Sequence, residues 1–201
     1  MKKVVSFDLD GTLVSQEFGD MVWNHGIPLE YAKKFGVSFE EAKKFVIYEY
    51  GLVGDGDILW YDIKYWIGRL GLDVKVEDLF NRYEKHIRLV EGAKEILEKL
   101  KGKYILILSS NAARIFVEKE LRYTGIESYF DYVFSATSDF KIVKKEKEFY
   151  RKVMGMLKVS PQEIIHIGDH PVFDYEVPTS LGIEAHLVKE GKGLKEVLSL
   201  I

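Results

Sequence analysis

The sequence predicts an α/β protein: a doubly wound parallel sheet, interrupted after its first strand by an all-helical insertion. Three observations carry that expectation. In the outer parts of the chain, short apolar runs alternate with helical patterns. The runs are continuous rather than alternating, as in strands covered by helices on both faces. Roughly residues 13–89 offer helical periodicity and hardly any strand signal.

Taken in order, the strands are expected at Val4–Phe7 and at residues 104–108, 132–134, 164–167 and 183–188. Helices are expected at residues 92–100, 112–123, 146–157, 174–181 and 194–200, the first of them with Ala93, Ile96, Leu97 and Leu100 on one face. Within the insertion, Ser38-Phe39-Glu40-Glu41 spells a capping box that opens a helix ending near Gly51. Leu59, Ile63, Trp66, Ile67 and Leu70 form a stripe that stops at Gly71, and Leu79, Tyr83 and His86 suggest one more helix. Core strands on either side make the helical unit an insertion, with residues 1–14 and 91–201 forming the core and 15–90 the inserted domain. No repeat or low-complexity tract is visible.

Composition narrows the possible functions. The chain has 201 residues, 47% apolar and 30% charged, enough for one sizeable core carrying a smaller insertion. Charge-free stretches fall far short of the ~20 apolar residues of a membrane span, and Asp8 ends any signal-peptide reading. The absence of cysteine excludes disulfides, thiolate zinc sites and a cysteine nucleophile, so a cytoplasmic location is expected. A net charge of −3 gives no electrostatic reason to bind nucleic acid or anionic lipid, which leaves small molecules as partners. Scarce glutamine and asparagine beside abundant lysine and glutamate is a bias reported for proteins of heat-loving organisms.

Three strand ends carry polar chemistry. Phe7-Asp8-Leu9-Asp10-Gly11-Thr12 places two carboxylates where open α/β sheets bind ligands, and the i, i+2 spacing turns both to one side of an extended chain. An Asp-Gly turn leaving a strand is the bland alternative. Ser109-Ser110-Asn111 ends the second run, offering hydroxyls and an amide at a helix start, an anion site or simply a cap. Gly168-Asp169, with Asp174 five residues on, suits a hard divalent cation, although Asp169 could equally cap a helix. Neither Gly-x-Gly-x-x-Gly nor Gly-x-x-x-x-Gly-Lys-Ser/Thr occurs, which argues against dinucleotide and P-loop sites.

In this combination and order, the three strand ends resemble the motifs of the haloacid dehalogenase superfamily over nearly the whole chain. Asp8-Leu9-Asp10-Gly11-Thr12 is similar to its nucleophile motif, Ser110-Asn111 to its second motif, and Gly168-Asp169 with Asp174 to its metal motif. The insertion is similar to the family's first type of cap. The resemblance implies a Rossmann-like core with strand order 5-4-1-2-3. It further implies Asp8 as the nucleophile that becomes an aspartyl phosphate, Asp10 as general acid and base, and Mg²⁺ held by Asp8, the Asp10 carbonyl and Asp169, with Asp174 acting through water. Gly11, Thr12, Ser110 and Asn111 would bind phosphate. The family's lysine, usually followed by proline, has no such neighbour here; its spacing to an acid and an aromatic favours Lys144 over Lys145.

The implied activity is a Mg²⁺-dependent phosphatase acting on a small phosphorylated metabolite. Asp10 favours phosphoester chemistry, since dehalogenating relatives generally lack that acid. A sugar-phosphate mutase of the same superfamily carries the same motifs. A phosphoacceptor module resembling response-regulator receivers, or a silent binding protein, is opposed by the chain length, the insertion and the intact acids. Gln16, Glu17, Asp20 and the loop 54–57 are candidates for choosing the substrate, whereas Trp60, Tyr61, Tyr65 and Trp66 are expected chiefly to pack.

Overall fold

The computed structural model describes residues 2–189, 193–199 and 201. Its elements run β1 (Val4–Phe7), α1 (Glu17–Met21), α2 (Ile27–Phe35), α3 (Phe39–Val53), α4 (Ile63–Arg69), α5 (Val76–Tyr83), α6 (Ala93–Leu100), β2 (Ile105–Ser110), α7 (Arg114–Thr124), β3 (Tyr132–Ser135), α8 (Ala136–Phe140), α9 (Lys147–Leu157), β4 (Ile164–Gly168), α10 (Val177–Ser180), β5 (Glu184–Leu187) and α11 (Leu194–Leu198). By internal contacts the chain divides into one unit of Met1–Ser15 with Arg88–Ile201 and another of Gln16–Ile87.

The first unit holds a five-stranded parallel sheet in the order β3-β2-β1-β4-β5, the expected order read from the other edge. β1 is central and every residue of it is buried, which is why its run is continuously apolar apart from Ser6. Register places Phe7 beside Leu108 and Ile167, so β4 runs one residue and β2 two residues past the end of β1. Under one face, Phe149 and Val153 of α9 pack with Val4, Ile107, Phe134, Ile164 and Ile183.

Several boundaries moved from expectation. β2 runs on to Ser110, which puts both serines inside the ladder. The helix expected over 174–181 is a wide π-type turn, Pro171–Glu176, followed by α10. It begins early because the His170 ring caps it, accepting from the amides of Val172 and Phe173. Of the last expected helix, residue 200 lies outside the described residues.

The second unit is all-helical. The capping box at Ser38 is present: Ser38 Oγ accepts from Glu41 N at 3.3 Å, and Glu41 Oε2 accepts from Ser38 N at 3.0 Å. α3 passes through Gly51 and stops at Gly54 (φ +78°), because Tyr50 is buried and holds the turn that Gly51 alone would loosen. Glu17 and Asp20, named above as substrate-choosing candidates, lie at the start of an almost unbroken helical run from Glu17 to Phe35. Two of its apparent breakers are harmless in place. Pro28 lies in the first turn of α2, directly after a π-type turn over Val22–Gly26, and Gly26 lets α5 approach, since a Cβ there would come within 2.8 Å of the Tyr83 ring. Phe18, Val22, Ile27, Val46, Ile63, Trp66 and Leu79 form this unit's own core. Among the described residues, no helix is long and apolar enough to cross a membrane.

Candidate active site

The carboxyl ends of β1, β2 and β4 gather the polar residues. Asp8 follows β1 directly, is 6% exposed, and is tied back to the sheet by its amide bond to the Ile167 carbonyl (2.9 Å). The chain then wraps tightly around one oxygen: the Leu9 carbonyl accepts from the amides of Thr12, Leu13 and Val14 at 3.2, 2.9 and 3.0 Å. Gly11 closes the turn at φ +82°, where a side chain would be strained, and gives its amide to the Val14 carbonyl at 2.7 Å. The Gly11 and Thr12 amides are therefore spent on the turn itself. Thr12 contributes through its hydroxyl, 3.3 Å from Asp8 Oδ2.

A buried cation faces Asp8. The ammonium of Lys145, 1% exposed, makes short contacts with both Asp8 Oδ1 and Asp174 Oδ1 and donates to the Ser109 carbonyl at 3.0 Å. This corrects the expectation of Lys144, whose Nζ lies 5.6 Å from the centre of the Phe173 ring. The reason is local. α9 starts at Lys147, one residue later than expected, and a tight turn binds Glu146 N to the Lys144 carbonyl at 2.7 Å, so successive lysines leave in different directions. Asn111 selects which one enters, because its Oδ1 accepts from Lys145 N at 2.7 Å. Asn111, expected at the phosphate, thus holds the lysine's backbone, and Ser110 Oγ caps the amide of Ala112 at 3.0 Å.

Behind Lys145 runs a chain of buried hydrogen bonds that the sequence reading missed: Ser109 Oγ to Ser6 Oγ (3.0 Å), Ser6 Oγ to His166 Nδ1 (2.8 Å), and His166 Nε2 to Asp174 Oδ1 (3.0 Å). Asp174 also accepts from the His170 amide at 3.0 Å. Burial alone would push the Asp174 carboxyl up, but Lys145 and the His166 bond outweigh it and hold it well below the usual range. An ionised Asp174 only accepts, which fixes the direction of the whole chain. His166 carries its proton on Nε2, Ser6 donates to Nδ1, and Ser109 donates to Ser6. Burial lowers the His166 ring below its ordinary value, so it is neutral. Gly168 makes this possible: a Cβ there would lie 2.3 Å from Asp174 Cγ.

The remaining acids are arranged for two different tasks. Carboxylate oxygens of Asp8, Asp169 and Asp174 come within 4.8 Å of one another, a hard-oxygen set that fits a small divalent cation. Burial raises Asp8 well above the usual carboxylate range, with Lys145 opposing and the Asp174 and Asp169 charges adding; burial and Asp174 raise Asp169. Such mutually repelling carboxylates are what a divalent cation relieves. Asp10 turns elsewhere, into a hydrogen bond with Glu120 of α7. Glu120 is 1% exposed, and its Oε2 has no hydrogen-bond partner. Burial, with the Asp10 charge adding, pushes its carboxyl well up, so the hydrogen-bonded Asp10–Glu120 pair favours holding a proton. A glutamate sharing the buried stripe of Phe116, Val117 and Leu121 was the available sequence signal; for Ser6 and His166 it was a polar residue inside an otherwise apolar strand.

The strand ends of the parallel sheet thus assemble a buried aspartate, a lysine clamped to it and a second acidic pair. The chain belongs to the haloacid dehalogenase-like hydrolases, whose family model matches residues 2–182. It is 28% identical over 167 residues to the GMP/IMP nucleotidase YrfG of Escherichia coli (strain K12), covering 82% of this chain and 73% of that one. It is 27% identical over 211 residues to the glyceraldehyde 3-phosphate phosphatase of Pyrococcus furiosus, covering 94% and 82%. A solved HAD phosphatase from Thermococcus onnurineus superposes with a TM-score of 0.79 at 27% identity, covering 94% of this chain and 86% of that one.

Proposed function

We propose that this hydrolase is a Mg²⁺-dependent phosphatase that cleaves a small phosphomonoester through an aspartyl phosphate on Asp8. The observation that carries the proposal is the buried Asp8 carboxylate held between Lys145 and the hydroxyl of Thr12, with Asp10 two residues away. Relatives named as a nucleotidase and a phosphatase support the same reading.

In the first step an Asp8 carboxylate oxygen forms a bond to phosphorus as the ester oxygen leaves, taking a proton from Asp10. In the second, water attacks the aspartyl phosphate and gives its proton to Asp10, releasing inorganic phosphate and restoring Asp8. A halide leaves without a proton; an alkoxide does not, which is why an acid at position 10 points to esters. Glu120 orients the Asp10 carboxyl through their hydrogen bond, and the pair holds a proton between them. Lys145 neutralises charge spreading over the transferring oxygens. Asp174, fixed by His166 and the His170 amide, keeps Lys145 in place. Asp8, the Asp10 carbonyl and Asp169 would hold Mg²⁺, which when bound screens the repulsion between carboxylate and phosphoryl oxygens. The helical unit, residues 15–90, serves as the cap that selects the substrate, hinging near residues 13–15 and 90–92.

Chelation followed by Mg²⁺ titration of acetyl phosphate hydrolysis tests the assignment. Wild type should stop in chelator and recover with Mg²⁺, and Asp169→Ala should need far more metal. Full activity in chelator would remove the metal from the account.

A further inference from the structure

The helical unit contains a small aromatic pocket of about 110 Å³, lined by Asp20, Trp23, Asn24, Tyr50 and Trp60. We propose that it binds a small organic ammonium group. The pocket lies wholly within the helical unit, so the proposal goes beyond the phosphatase reading and stands apart from it.

Three rings line the pocket. Trp23 and Tyr50 lie 6.0 Å apart at 82°, Tyr50 and Trp60 6.5 Å apart at 61°, and Trp23 and Trp60 6.5 Å apart at 24°. Faces turned in different directions around a small volume stabilise a round cation from several sides. Trp23 and Tyr50 stand nearly perpendicular, so a cation seated in the corner between their faces would lie about 4–5 Å from both ring centres, within cation–ring reach. The rim supplies the matching charge: Asp20 offers only acceptors, and this unit as a whole carries more acids than bases.

The walls are fixed in advance. The Tyr50 hydroxyl donates to the Trp23 carbonyl at 3.2 Å, and the buried Trp66 donates Nε1–H to the Trp60 carbonyl at 3.1 Å while its ring packs 4.6 Å from Tyr50. Trp66 therefore packs, as expected from the sequence, whereas Trp60 is half-buried at the pocket. Little ordering cost remains to be met on binding. Asp20 stands on α1, the first helix after the aspartate loop and ten residues along the chain from Asp10.

The test uses the intact protein and its own fluorescence, since two of its three tryptophans line the pocket. Choline should change the emission saturably, whereas the neutral isostere 3,3-dimethylbutan-1-ol should bind at least about tenfold more weakly. Asp20→Asn should weaken choline by about tenfold. Equal binding of choline and the isostere, no saturable response to choline, or tighter binding of guanosine than of choline would overturn the proposal. Two hydrolysis measurements separate it from the phosphatase reading. If acetyl phosphate is hydrolysed but choline does not bind, the pocket inference fails alone. If choline binds but neither acetyl phosphate nor phosphocholine is hydrolysed, the pocket stands and the catalytic reading fails.

Discussion

Replacing Lys145 by methionine keeps most of the side-chain volume and removes one charge, leaving Asp8 and Asp174 facing each other without their shared cation. Their side chains are 9% and 1% exposed, so water cannot take over the lost interaction. Breaking a buried ion pair by deleting one partner costs about 3–5 kcal/mol. In a chain of this size each kcal/mol moves the melting temperature by about 2–4 °C, so the sheet-bearing unit of Lys145→Met should melt about 6–20 °C lower in chelator. Lys144→Met loses a cation–ring contact worth about 1 kcal/mol, which corresponds to a shift of about 2–4 °C. Turnover should separate the two further, Lys145→Met losing about 10²–10³-fold and Lys144→Met little. Circular dichroism melts with phosphate-release assays read both quantities. Adding Asp174→Asn to Lys145→Met should recover part of the lost stability, because the two residues are coupled. A larger loss in Lys144→Met than in Lys145→Met would refute the assignment, and so would strictly additive effects of Lys145→Met and Asp174→Asn.

Glu120→Leu should leave the fold as stable or stabilise it by about 1–3 kcal/mol, because it removes a buried carboxyl with an oxygen lacking a partner, yet it should slow esters of poorly leaving alcohols more than acetyl phosphate. Urea unfolding and a comparison of leaving groups check this; equal slowing on every donor would contradict a role through Asp10. For His166 the folded ring titrates below the unfolded value of about 6.5, so below that pH the unfolded state binds more protons. Stability contributed by the neutral ring is complete above pH ~6.5 and falls as pH drops toward the folded value, by up to about 1.4 kcal/mol per pH unit. Urea unfolding between pH 5 and 8 should show this slope in wild type and lack it in His166→Gln; identical slopes would refute it.

The fold was legible because burial imposed it on composition. β1, β2 and β4 lie inside the sheet, so their residues had to be apolar without alternation, and the helical insertion stood out by contrast. The aspartates were equally legible, since Asp8, Asp10 and Asp169 follow directly from strand ends. What the sequence concealed depended on direction rather than position. Four lysines crowd residues 141–147, and only the bond from Lys145 N to Asn111 shows which one enters the interior. The helical run from Glu17 was hidden by Gly19, Gly26 and Pro28, although Pro28 occupies a position where helices tolerate it. Trp60 looked like packing because helical spacing alone does not separate a buried ring from one at the edge of a pocket.

The central claim is that phosphate passes through a covalent bond to Asp8. Quenching a single turnover and reducing with borohydride converts an aspartyl phosphate to homoserine, which mass spectrometry places in the sequence. Homoserine at position 8 in wild type, and none in Asp8→Asn, is the predicted result. Phosphate release from wild type with no homoserine, or with homoserine at another aspartate, would contradict the account.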